Sequence, residues 1–327
     1  MLELIMSIDI IGGGPAGSTA SIFLAKSGFD DIKLYEKSVK VRKPCGGGLT
    51  FRVLERYDYL LEGLKTNPIK TIVVDIDNTI IKFGFKKVVL KIVDRLKLDE
   101  HLRKIAKSLG VKIIGKNVEP KELNGKLVID ARGFDSEQKF SIAKVAICKL
   151  KDSIATFIFR KKFISKGYFW IFPINEKLAN IGCAGTKNGF KTNLDEVFDW
   201  FIEEIGAKPL SIMNYPITVY SKINSLIYRH DDKIVVKVGE RAGLVNPLTG
   251  EGIYHAIRSS EILAECIKDD VFLYQKRIED EFKKELTISK FLVDSFPIMP
   301  NFLKKFLLKH AVKIIFPSTK IIEMCRN

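Results

Sequence analysis

The chain carries two kinds of hydrophobic pattern. Met6 to Ile11 is a short apolar run, typical of a buried parallel strand, and it precedes a predicted helix from Pro15 to Lys26 and a predicted strand from Ile32 to Tyr35. Lys70 to Val93 instead alternates apolar and polar residues, as half-buried strands do. The first pattern indicates a parallel α/β unit and the second an antiparallel sheet.

Both patterns return along the rest of the chain. The further predicted features are, in order, a helix at Phe51 to Leu61, strand breaks at Asp77-Asn78 and Phe83-Gly84, a helix at Asp99 to Leu109, a strand at Val111 to Ile114, a hairpin around Asn124-Gly125 leading into a strand at Leu127 to Asp130, a strand-rich stretch at Ala143 to Ile181, a helix at Asn193 to Ile205, a strand at Lys233 to Val238 and a helix at Ile253 to Ile267.

This order of elements predicts an α/β fold with an interrupted domain. A Rossmann-like dinucleotide-binding domain would comprise residues 1–62, 96–140 and 230–285, with an antiparallel-sheet substrate domain (α+β) of residues 63–95 and 141–229 inserted into it. Residues 286–327 would form a short helical C-terminal segment.

Gly12, Gly14 and Gly17 follow the first predicted strand with GxGxxG spacing. In a strand-turn-helix unit the first glycine permits the turn, the second lets the backbone approach a pyrophosphate, and the third lets helix and strand pack closely. The next strand leads to Glu36, whose carboxylate can accept hydrogen bonds from ribose hydroxyls. A glycine-rich turn without a ligand would have the same spacing, but strand, helix and Glu36 together favour a dinucleotide.

A second glycine-rich segment, KPCGGGLT, places Cys45 before Gly46, Gly47 and Gly48. A backbone without Cβ atoms allows close approach of a flat ligand or its phosphates. The thiol matters chemically only where its surroundings favour the thiolate or place it beside a reacting group. A flexible turn with an incidental cysteine explains this segment equally well.

A third segment, VGERAGLVNPLTGEGI, follows the last predicted strand. Glu240 is placed to hydrogen-bond a hydroxylated chain, and Gly250 and Gly252 free the backbone to lie against a planar ring. The helix that begins at Ile253 would direct its positive N-terminus at the ligand. A capping loop alone explains the start of the helix but not the paired glycines.

Composition narrows the class of protein. The 327 residues are 46% hydrophobic, which is enough for a large core, and the formal net charge of +15 raises the question of a polyanionic partner. The lysines are scattered through predicted elements, however, with no aromatic-interleaved basic run and no zinc-finger pattern. We therefore expect a solvated basic surface and no nucleic-acid partner.

Cysteine usage and hydropathy bear on the compartment. The five cysteines, an odd number without a CxxC pair, indicate neither a metal site nor a disulfide framework. The first strand begins almost at once, which leaves no room for a signal peptide, and no apolar run reaches the roughly 18 residues of a membrane span. We expect a cytoplasmic protein that is soluble or peripheral at a membrane.

The segments IIGGGPAGSTA, KPCGGGLT, YFWIFP and VGERAGLVNPLTGEGI together resemble the geranylgeranyl reductase family, within the FAD-dependent flavoproteins related to p-hydroxybenzoate hydroxylase. The resemblance runs from residue 6 to about 268. It implies bound FAD, a reduced electron donor such as NAD(P)H or ferredoxin, and reduction of isolated double bonds in geranylgeranyl chains of chlorophyll precursors or archaeal membrane lipids.

The resemblance also implies roles for individual residues. Ala16 and Glu36 would contact the ADP half of FAD, and Asp130 to Gly133 resembles the DG-type motif of the family. Glu240 stands where the family has aspartate. With the glycines above, the predicted cofactor-binding residues are Gly12, Gly14, Ala16, Gly17, Glu36, Cys45, Gly46, Gly48, Arg95, Val118, Glu240, Gly250, Gly252 and Ile253.

Alternation places Tyr168, Trp170 and Phe172 on one face of a strand. Aromatic residues in strands usually pack in the sheet core. The resemblance instead places this stretch beside the flavin and a lipid tunnel. With Cys45, we therefore predict Tyr168 and Trp170 as catalytic residues.

The C-terminal segment has an amphipathic pattern. If Asn301 to Ile315 is helical, Phe302 and Phe306 lie on its apolar face and Lys304 lies largely on the other. Such a helix would pack on the body of the protein or lie on anionic lipid, and the second interpretation predicts peripheral membrane contact.

The predicted reaction is hydride transfer from reduced FAD to one alkene carbon, with a proton supplied to the other by water or by the Cys45 thiol. Two alternatives remain. The same scaffold serves FAD-dependent monooxygenases. A non-catalytic flavin-binding protein is the other, because the segment between Val111 and Ile129 is brief and the chain ends early for the family.

Overall fold

The computed structural model describes residues 7–37, 43–304, 306–307 and 320–325. The α-helices with defined bounds are α1 (Pro15–Lys26), α2 (Phe51–Tyr57), α3 (Arg95–Ser108), α4 (Leu194–Glu204), α5 (Ile253–Asp269) and α6 (Leu273–Ser295). The strands are β1 (Ile8–Ile11), β2 (Ile32–Tyr35), β3 (Gly48–Thr50), β4 (Asn67–Ile69), β5 (Thr71–Ile76), β6 (Thr79–Gly84), β7 (Leu90–Ile92), β8 (Lys112–Ile114), β9 (Leu127–Asp130), β10 (Phe140–Lys149), β11 (Ala155–Phe159), β12 (Gly167–Pro173), β13 (Leu178–Thr186), β14 (Lys208–Thr218), β15 (Ile227–His230), β16 (Lys233–Lys237) and β17 (Lys320–Cys325).

A six-stranded sheet in the order β15-β16-β9-β1-β2-β8 forms the dinucleotide-type half of the molecule. Its strands are parallel except for β15, which runs antiparallel to β16 at the edge. Every residue of β1 is buried, which matches its apolar run, because a parallel strand is covered on both faces. Helix α1 and strand β2 have the predicted bounds.

An eight-stranded sheet in the order β14-β10-β13-β12-β11-β5-β6-β17 forms the second layer. It is antiparallel except where β5 and β11 pair in parallel. One face packs on α4, where Phe169 meets Phe201 at 4.6 Å between ring centroids. The predicted fold class, an α/β unit with an antiparallel sheet, is confirmed. The domain boundaries stay a prediction.

The remaining sheet has three strands in the order β3-β7-β4. Strand β3 begins at Gly48, the last glycine of the second glycine-rich segment. Because β3 pairs with β7, the turn at Cys45 to Gly47 is attached to a sheet rather than to a free loop.

The C-terminal part contains both helix and strand. Residues 301–304 and 306–307 are helical, and the remainder of the helix predicted for 301–315 lies outside the described residues. Strand β17 pairs antiparallel with β6, so a segment that the sequence predicts as helical also contributes an edge strand.

The hairpin predicted around Asn124-Gly125 is wrong. Strand β8 pairs with β2 at one edge of the six-stranded sheet, whereas β9 lies between β1 and β16. Gly125 serves close packing instead, because its N–H donates to the Asp9 carboxylate at 2.8 Å and a Cβ there would lie 2.7 Å from that carboxylate.

The helix predicted from Asp99 begins four residues earlier, at Arg95. The Asp94 carboxylate accepts hydrogen bonds from the backbone N–H groups of Leu96 and Lys97 at 2.9 and 3.4 Å. An N-cap of this kind satisfies N–H groups that the first helical turn leaves unpaired. The extra turn brings Arg95 to the cavity described next.

Candidate functional site

A cavity of about 1380 Å³ is lined by residues of all three sheets and their connecting loops. One side, here called the glycine wall, comprises Gly12, Gly14, Gly46, Gly250 and Gly252 and the loops that carry them. A second side, the aromatic wall, comprises Phe157, Phe159, Tyr168, Trp170 and Phe172 of β11 and β12. The three glycine-rich segments of the sequence therefore meet at one cavity.

The first glycine turn leaves no room for side chains. Gly12 has a φ of +104°, and a Cβ at this position would lie 2.4 Å from the carbonyl oxygen of Ala131. A Cβ at Gly17 would lie 1.8 Å from the carbonyl oxygen of Gly12. The predicted role of Gly17, close packing of helix on turn, is confirmed by this contact.

The N-terminus of α1 opens on the cavity. Its N-cap residue, Gly14, offers no side-chain hydrogen bond to the first turn, and Gly14 and Ala16 both line the cavity. The Glu36 carboxylate accepts a hydrogen bond from the Gly13 N–H at 2.6 Å, and Arg103 donates to the Gly13 carbonyl at 2.9 Å. Uncapped N–H groups at the positive end of a helix suit a pyrophosphate, and the fixed carboxylate beside them suits a ribose.

The turn at Cys45 is held from the opposite sheet. Asn180, buried on β13, donates from Nδ2 to the Cys45 carbonyl at 2.7 Å and accepts at Oδ1 from the indole N–H of Trp170 at 2.9 Å. A Cβ at Gly46 would lie 3.0 Å from the Phe172 ring. This bridge joins the glycine wall to the aromatic wall.

Asn180 was missed by the sequence analysis. The one signal was an amide side chain in the apolar strand around LANIG, and a pattern of this kind does not identify the two distant groups that the amide joins.

The third glycine segment is also tied to the aromatic wall. The Tyr168 hydroxyl donates to the Thr249 carbonyl, and burial raises the pKa of Tyr168. The Asn246 side chain accepts hydrogen bonds from the N–H groups of Leu248 and Thr249 at 2.9 and 3.2 Å, which shapes the turn before α5. Gly252 then caps α5 without a side-chain hydrogen bond.

Of two further predicted cofactor residues, Glu240 lines the cavity and Val118 does not. The Glu240 carboxylate forms an ion pair with Lys43 and accepts the Thr218 N–H at 3.1 Å, so its oxygens are engaged within the protein. The Val118 side chain is buried in a cluster with Ile11 and Val128 and does not line the cavity. A cofactor contact at Val118 would have to involve its main chain.

Arg95 lines the cavity beside Gly14 and Cys45. Its Nε donates to the Asp99 carboxylate at 2.8 Å. Burial alone would lower the pKa of Arg95, but Asp99 and Cys45 outweigh burial and raise it. The guanidinium therefore supplies a fixed positive charge next to the glycine wall.

The alternation predicted for β12 is confirmed. Tyr168, Trp170 and Phe172 face the cavity, whereas Phe169 packs on α4. The rings contact one another edge to face or tilted, with centroids of Phe157 and Phe172 5.2 Å apart. Such a wall is apolar over a long stretch and suits a hydrocarbon chain.

A polar cluster lies behind the glycine wall. Ligand-type atoms of Glu251, His255 and Glu285 lie within 4.8 Å of one another, although the sequence indicated no metal site. Arg52 donates two hydrogen bonds to Glu285 at 2.8 and 2.9 Å and one to Glu251 at 3.2 Å. Because the Arg52 guanidinium already donates hydrogen bonds to both carboxylates, we interpret the cluster as an ion-pair network.

The network perturbs the titration of Glu285. Burial alone would raise the pKa of Glu285, but the adjacent His255 ring and Arg52 guanidinium outweigh burial and lower it to about 2. Glu285 therefore stays ionised at every pH at which the protein is expected to work.

The arrangement fits FAD, the cofactor expected from the sequence. Glu36, the uncapped α1 terminus and the turns at Cys45 and Gly250 all line one cavity, and their chemistry suits a ribose, a pyrophosphate and a flat ring. The same cavity is also lined by the apolar side chains of the aromatic wall. In the part of the chain that the structure describes, no helix is both long enough and apolar enough to cross a bilayer.

Comparison with known proteins gives consistent results. A family model described as the geranylgeranyl reductase catalytic domain matches residues 138–215, which include the aromatic wall. An uncharacterized protein of Methanosarcina barkeri is 29% identical over 92% of this chain and 87% of its own length. A digeranylgeranylglycerophospholipid reductase of Thermoplasma volcanium is 25% identical over 84% of each chain.

A solved structure shares the fold. A geranylgeranyl bacteriochlorophyll reductase-like protein from Thermoplasma acidophilum superimposes with a TM-score of 0.76 at 23% identity, covering 90% of this chain and 88% of its own.

Proposed function

We propose that this chain, a member of the geranylgeranyl reductase family and an FAD-dependent oxidoreductase, reduces isolated double bonds of the geranylgeranyl chains of membrane lipids. The observation that carries the proposal is the junction of the two walls. The Cys45 turn, which fits the flavin, is hydrogen-bonded through Asn180 to Trp170 of the aromatic wall. An apolar chain along that wall would therefore lie against the cofactor.

The glycine wall would hold FAD. Glu36 would bind the adenosine ribose, the N-terminus of α1 the pyrophosphate, and the turns at Cys45 and Gly250 the ring. When bound in its reduced form, FAD supplies a hydride, and a proton from a second donor completes the saturation of an alkene. The residues of the protein contribute by binding and orienting the alkene and by excluding water.

The aromatic wall would orient the alkene and keep the site dry. An isolated alkene is a poor hydride acceptor, so the reaction depends on close and correctly aligned contact. Trp170 presents its ring to the cavity while its N–H is held by Asn180, which fixes the ring plane. Tyr168, whose hydroxyl donates to Thr249, holds β12 against the third glycine turn.

Cys45 is the candidate proton donor. Its thiol lies at the junction of the walls and accepts the Gly47 N–H at 3.4 Å, so it is oriented by the turn that carries it. We expect Cys45→Ala to retain FAD and to lose most of the reductase activity, and Cys45→Ser to recover part of it. Full activity in Cys45→Ala would leave water as the donor.

The activity is tested by incubating the FAD-loaded protein anaerobically with geranylgeranyl-bearing glycerophospholipid, with NAD(P)H or reduced ferredoxin as donor. Mass spectrometry of the lipid should show successive gains of two hydrogens. Product that forms only when oxygen is present would instead establish a monooxygenase. Bound FAD without any lipid product from either donor or from dithionite would indicate a non-catalytic flavoprotein.

Contact with the membrane surface is part of the proposal, with the protein otherwise cytoplasmic. Phe302 and Phe306, on the predicted apolar face of the C-terminal helix, are 74% and 52% exposed. Ile298, beside the cavity residues Phe296 and Met299, is 85% exposed. Flotation with anionic liposomes should decrease when residues 301–327 are removed, and unchanged flotation would contradict the contact.

A further inference from the structure

The 296–304 segment, which follows α6, faces two ways. Phe296 and Lys304 line the cavity. Ile298 and Phe302 are the two most exposed large apolar side chains among the described residues. One short segment therefore covers part of the cavity on its inner side and presents apolar side chains to the solvent on its outer side.

Exposed apolar side chains are concentrated around this segment. Of the fourteen large apolar side chains that are exposed in the described part of the chain, six fall between residues 288 and 307. They are Ile288, Phe291, Ile298, Phe302, Phe306 and Leu307. Single exposed apolar residues are ordinary, whereas a concentration of them marks a surface that contacts a partner. Because the chain has a net charge of +15, an anionic bilayer is the apolar partner of matching charge.

Few interactions attach the segment to the body of the protein. The Phe296 ring contacts the Phe159 ring of the aromatic wall, with 5.3 Å between the centroids. In the described part of the chain, the one hydrogen bond between the segment and the body runs from the Asn301 amide to the Asp77 carboxylate, at 3.4 Å. A hydrogen bond of this length is weak. Displacement of the segment would therefore break little besides one ring contact.

The segment carries a buried charge in its present position. Lys304 is 4% exposed, although the helical pattern predicted it on the polar face. Its Nζ lies 4.6 Å from the centre of the Phe296 ring and donates to the Asn301 side-chain oxygen at 3.3 Å, and no carboxylate of the described residues lies within ion-pair distance of it. Burial lowers the pKa of Lys304, because burial disfavours the charged form. Displacement of the segment would return this charge to water or to an anionic surface, which offsets part of the cost of exposing Phe296.

We propose that the 296–304 segment is a lid, closed in this structure and opened by contact with an anionic bilayer, through which a lipid chain passes from the bilayer into the cavity. Ile298 and Phe302 would enter the lipid, Phe296 would leave Phe159, and Lys304 would move to the charged surface. This inference rests on the proposed function, because it assumes that the substrate is a membrane lipid. A chain that passes directly from the bilayer into the cavity is never exposed to water, which avoids the cost of hydrating its apolar surface.

Entry of a chain can be measured without turnover. The protein has two tryptophans, and Trp200→Phe leaves Trp170, which lines the cavity, as the only one. In the FAD-loaded Trp200→Phe protein, a brominated chain that reaches Trp170 should quench its fluorescence. One probe is an anionic glycerophospholipid with brominated chains, presented as vesicles. The other is a short brominated alcohol dissolved as monomers, which reaches the cavity without a bilayer.

The outer side of the lid is tested with the double substitution Ile298→Ser and Phe302→Ser. Quenching by the vesicles should become at least about tenfold slower, because two large apolar side chains no longer enter the lipid. Quenching by the dissolved alcohol should be unchanged, because the closed lid keeps its inner contacts. The matched control is Phe272→Ser, at an apolar residue that is 50% exposed at the other end of α6, and both rates should be kept. Equal slowing in the control would overturn the assignment of the outer side.

The closure of the lid is tested with Asn301→Ala. This change removes the hydrogen bonds to Asp77 and from Lys304, so quenching by the dissolved alcohol should become about five- to tenfold faster without vesicles. Asn188→Ala, at an exposed asparagine outside the segment, should leave the rate unchanged. An unchanged rate in Asn301→Ala would refute the lid and leave the segment as a fixed wall of the cavity.

The remaining outcomes separate the lid from the proposed function. A wild-type lid in the Trp200→Phe protein that brominated vesicles do not quench would refute the lid, even in a protein that reduces detergent-dispersed lipid. A protein quenched by the vesicles that never reduces geranylgeranyl lipid would refute the reductase function and leave the lid intact. A dimer that the substitutions at Ile298 and Phe302 dissociate, with flotation on anionic liposomes unchanged, would assign the outer side to a second copy of the chain and overturn the contact with the bilayer.

Discussion

The two walls of the cavity are built by different means. The glycine wall is defined by backbone: Gly12 and Gly47 stand where a Cβ would lie 2.4 and 2.2 Å from a carbonyl oxygen. The aromatic wall is defined by side chains that alternate along β12 and contact one another across β11. The glycine wall therefore tolerates almost no change in residue type. The aromatic wall depends instead on its total apolar volume and on a few side-chain hydrogen bonds.

Substitution of a glycine should have the largest effect. Gly12→Ala combines a left-handed φ with a backbone clash, and we expect it to cost about 4 kcal/mol of unfolding free energy and to abolish FAD binding. Gly28→Ala is the matched control, because Gly28 has a φ of +93° but nothing within 4 Å of the added Cβ. It should cost about 1 kcal/mol and retain FAD. Urea unfolding and flavin absorbance measure both, and equal losses in the two variants would refute the steric account.

Loss of the hydrogen bonds by which Asn180 joins the two walls should have the second largest effect on stability. Asn180→Ala leaves the Trp170 N–H and the Cys45 carbonyl without their partner, at an expected cost of about 2 to 3 kcal/mol. Trp170→Phe removes only one of these bonds and should cost about 1 kcal/mol. In a double-mutant cycle the two changes should be coupled by about 1 kcal/mol. Strict additivity of the two unfolding free energies would show that the bridge does not join the walls.

A fall in pH should destabilise the glycine wall more than the aromatic wall, because the ion-pair network of Glu285 adjoins the glycine wall. The pKa of Glu285 is lowered in the folded state from 4.5 to about 2, so its stabilising contribution is present above the unfolded pKa and is lost as the pH falls through the folded value. The shift corresponds to about 3 kcal/mol, which screening at this partly exposed side chain reduces to about 1 to 2 kcal/mol.

Glu285→Gln should therefore lose stability at neutral pH and show a flatter decline of unfolding free energy below about pH 5. Glu203→Gln changes an exposed glutamate of α4 and serves as the control. Parallel pH profiles for wild type and Glu285→Gln would contradict the role assigned to the network with Arg52.

The smallest effect on stability is expected for loss of the single hydrogen bond between Tyr168 of the aromatic wall and the third glycine turn. Tyr168→Phe removes the hydrogen bond to the Thr249 carbonyl but keeps the ring, so we expect a loss of about 1 kcal/mol and a modest weakening of FAD binding. Tyr59→Phe, at a residue that is 50% exposed, should be neutral. Thermal unfolding and FAD titration distinguish the two, and an effect as large as that of Gly12→Ala would remove the distinction between the walls.

The sequence correctly predicted the features that depend on interactions between residues close together in the chain. The bounds of α1 and β2, the packing of Gly17 and the alternation along β12 follow from short-range spacing, and the structure confirms them. The hairpin at Asn124-Gly125 failed because a glycine required by the distant Asp9 has the same sequence signature as a turn glycine.

The features that sequence reasoning missed depend on long-range partners. Asn180 joins Cys45 and Trp170, residues 135 and 10 positions away, and Arg52 joins Glu285 at a separation of 233. The burial of Lys304 depends on Phe296 and Asn301 packing around it, whereas helical periodicity alone placed it on the polar face.

The most direct test of the central claim is a single-turnover measurement under anaerobic conditions. The FAD-loaded protein is reduced with one equivalent of dithionite and mixed with geranylgeranyl-bearing glycerophospholipid, and flavin absorbance and lipid mass are followed together. If the two walls place an alkene against the flavin, one double bond should be saturated for each flavin reoxidised. Flavin that stays reduced until air is admitted, with lipid of unchanged mass, would contradict the account.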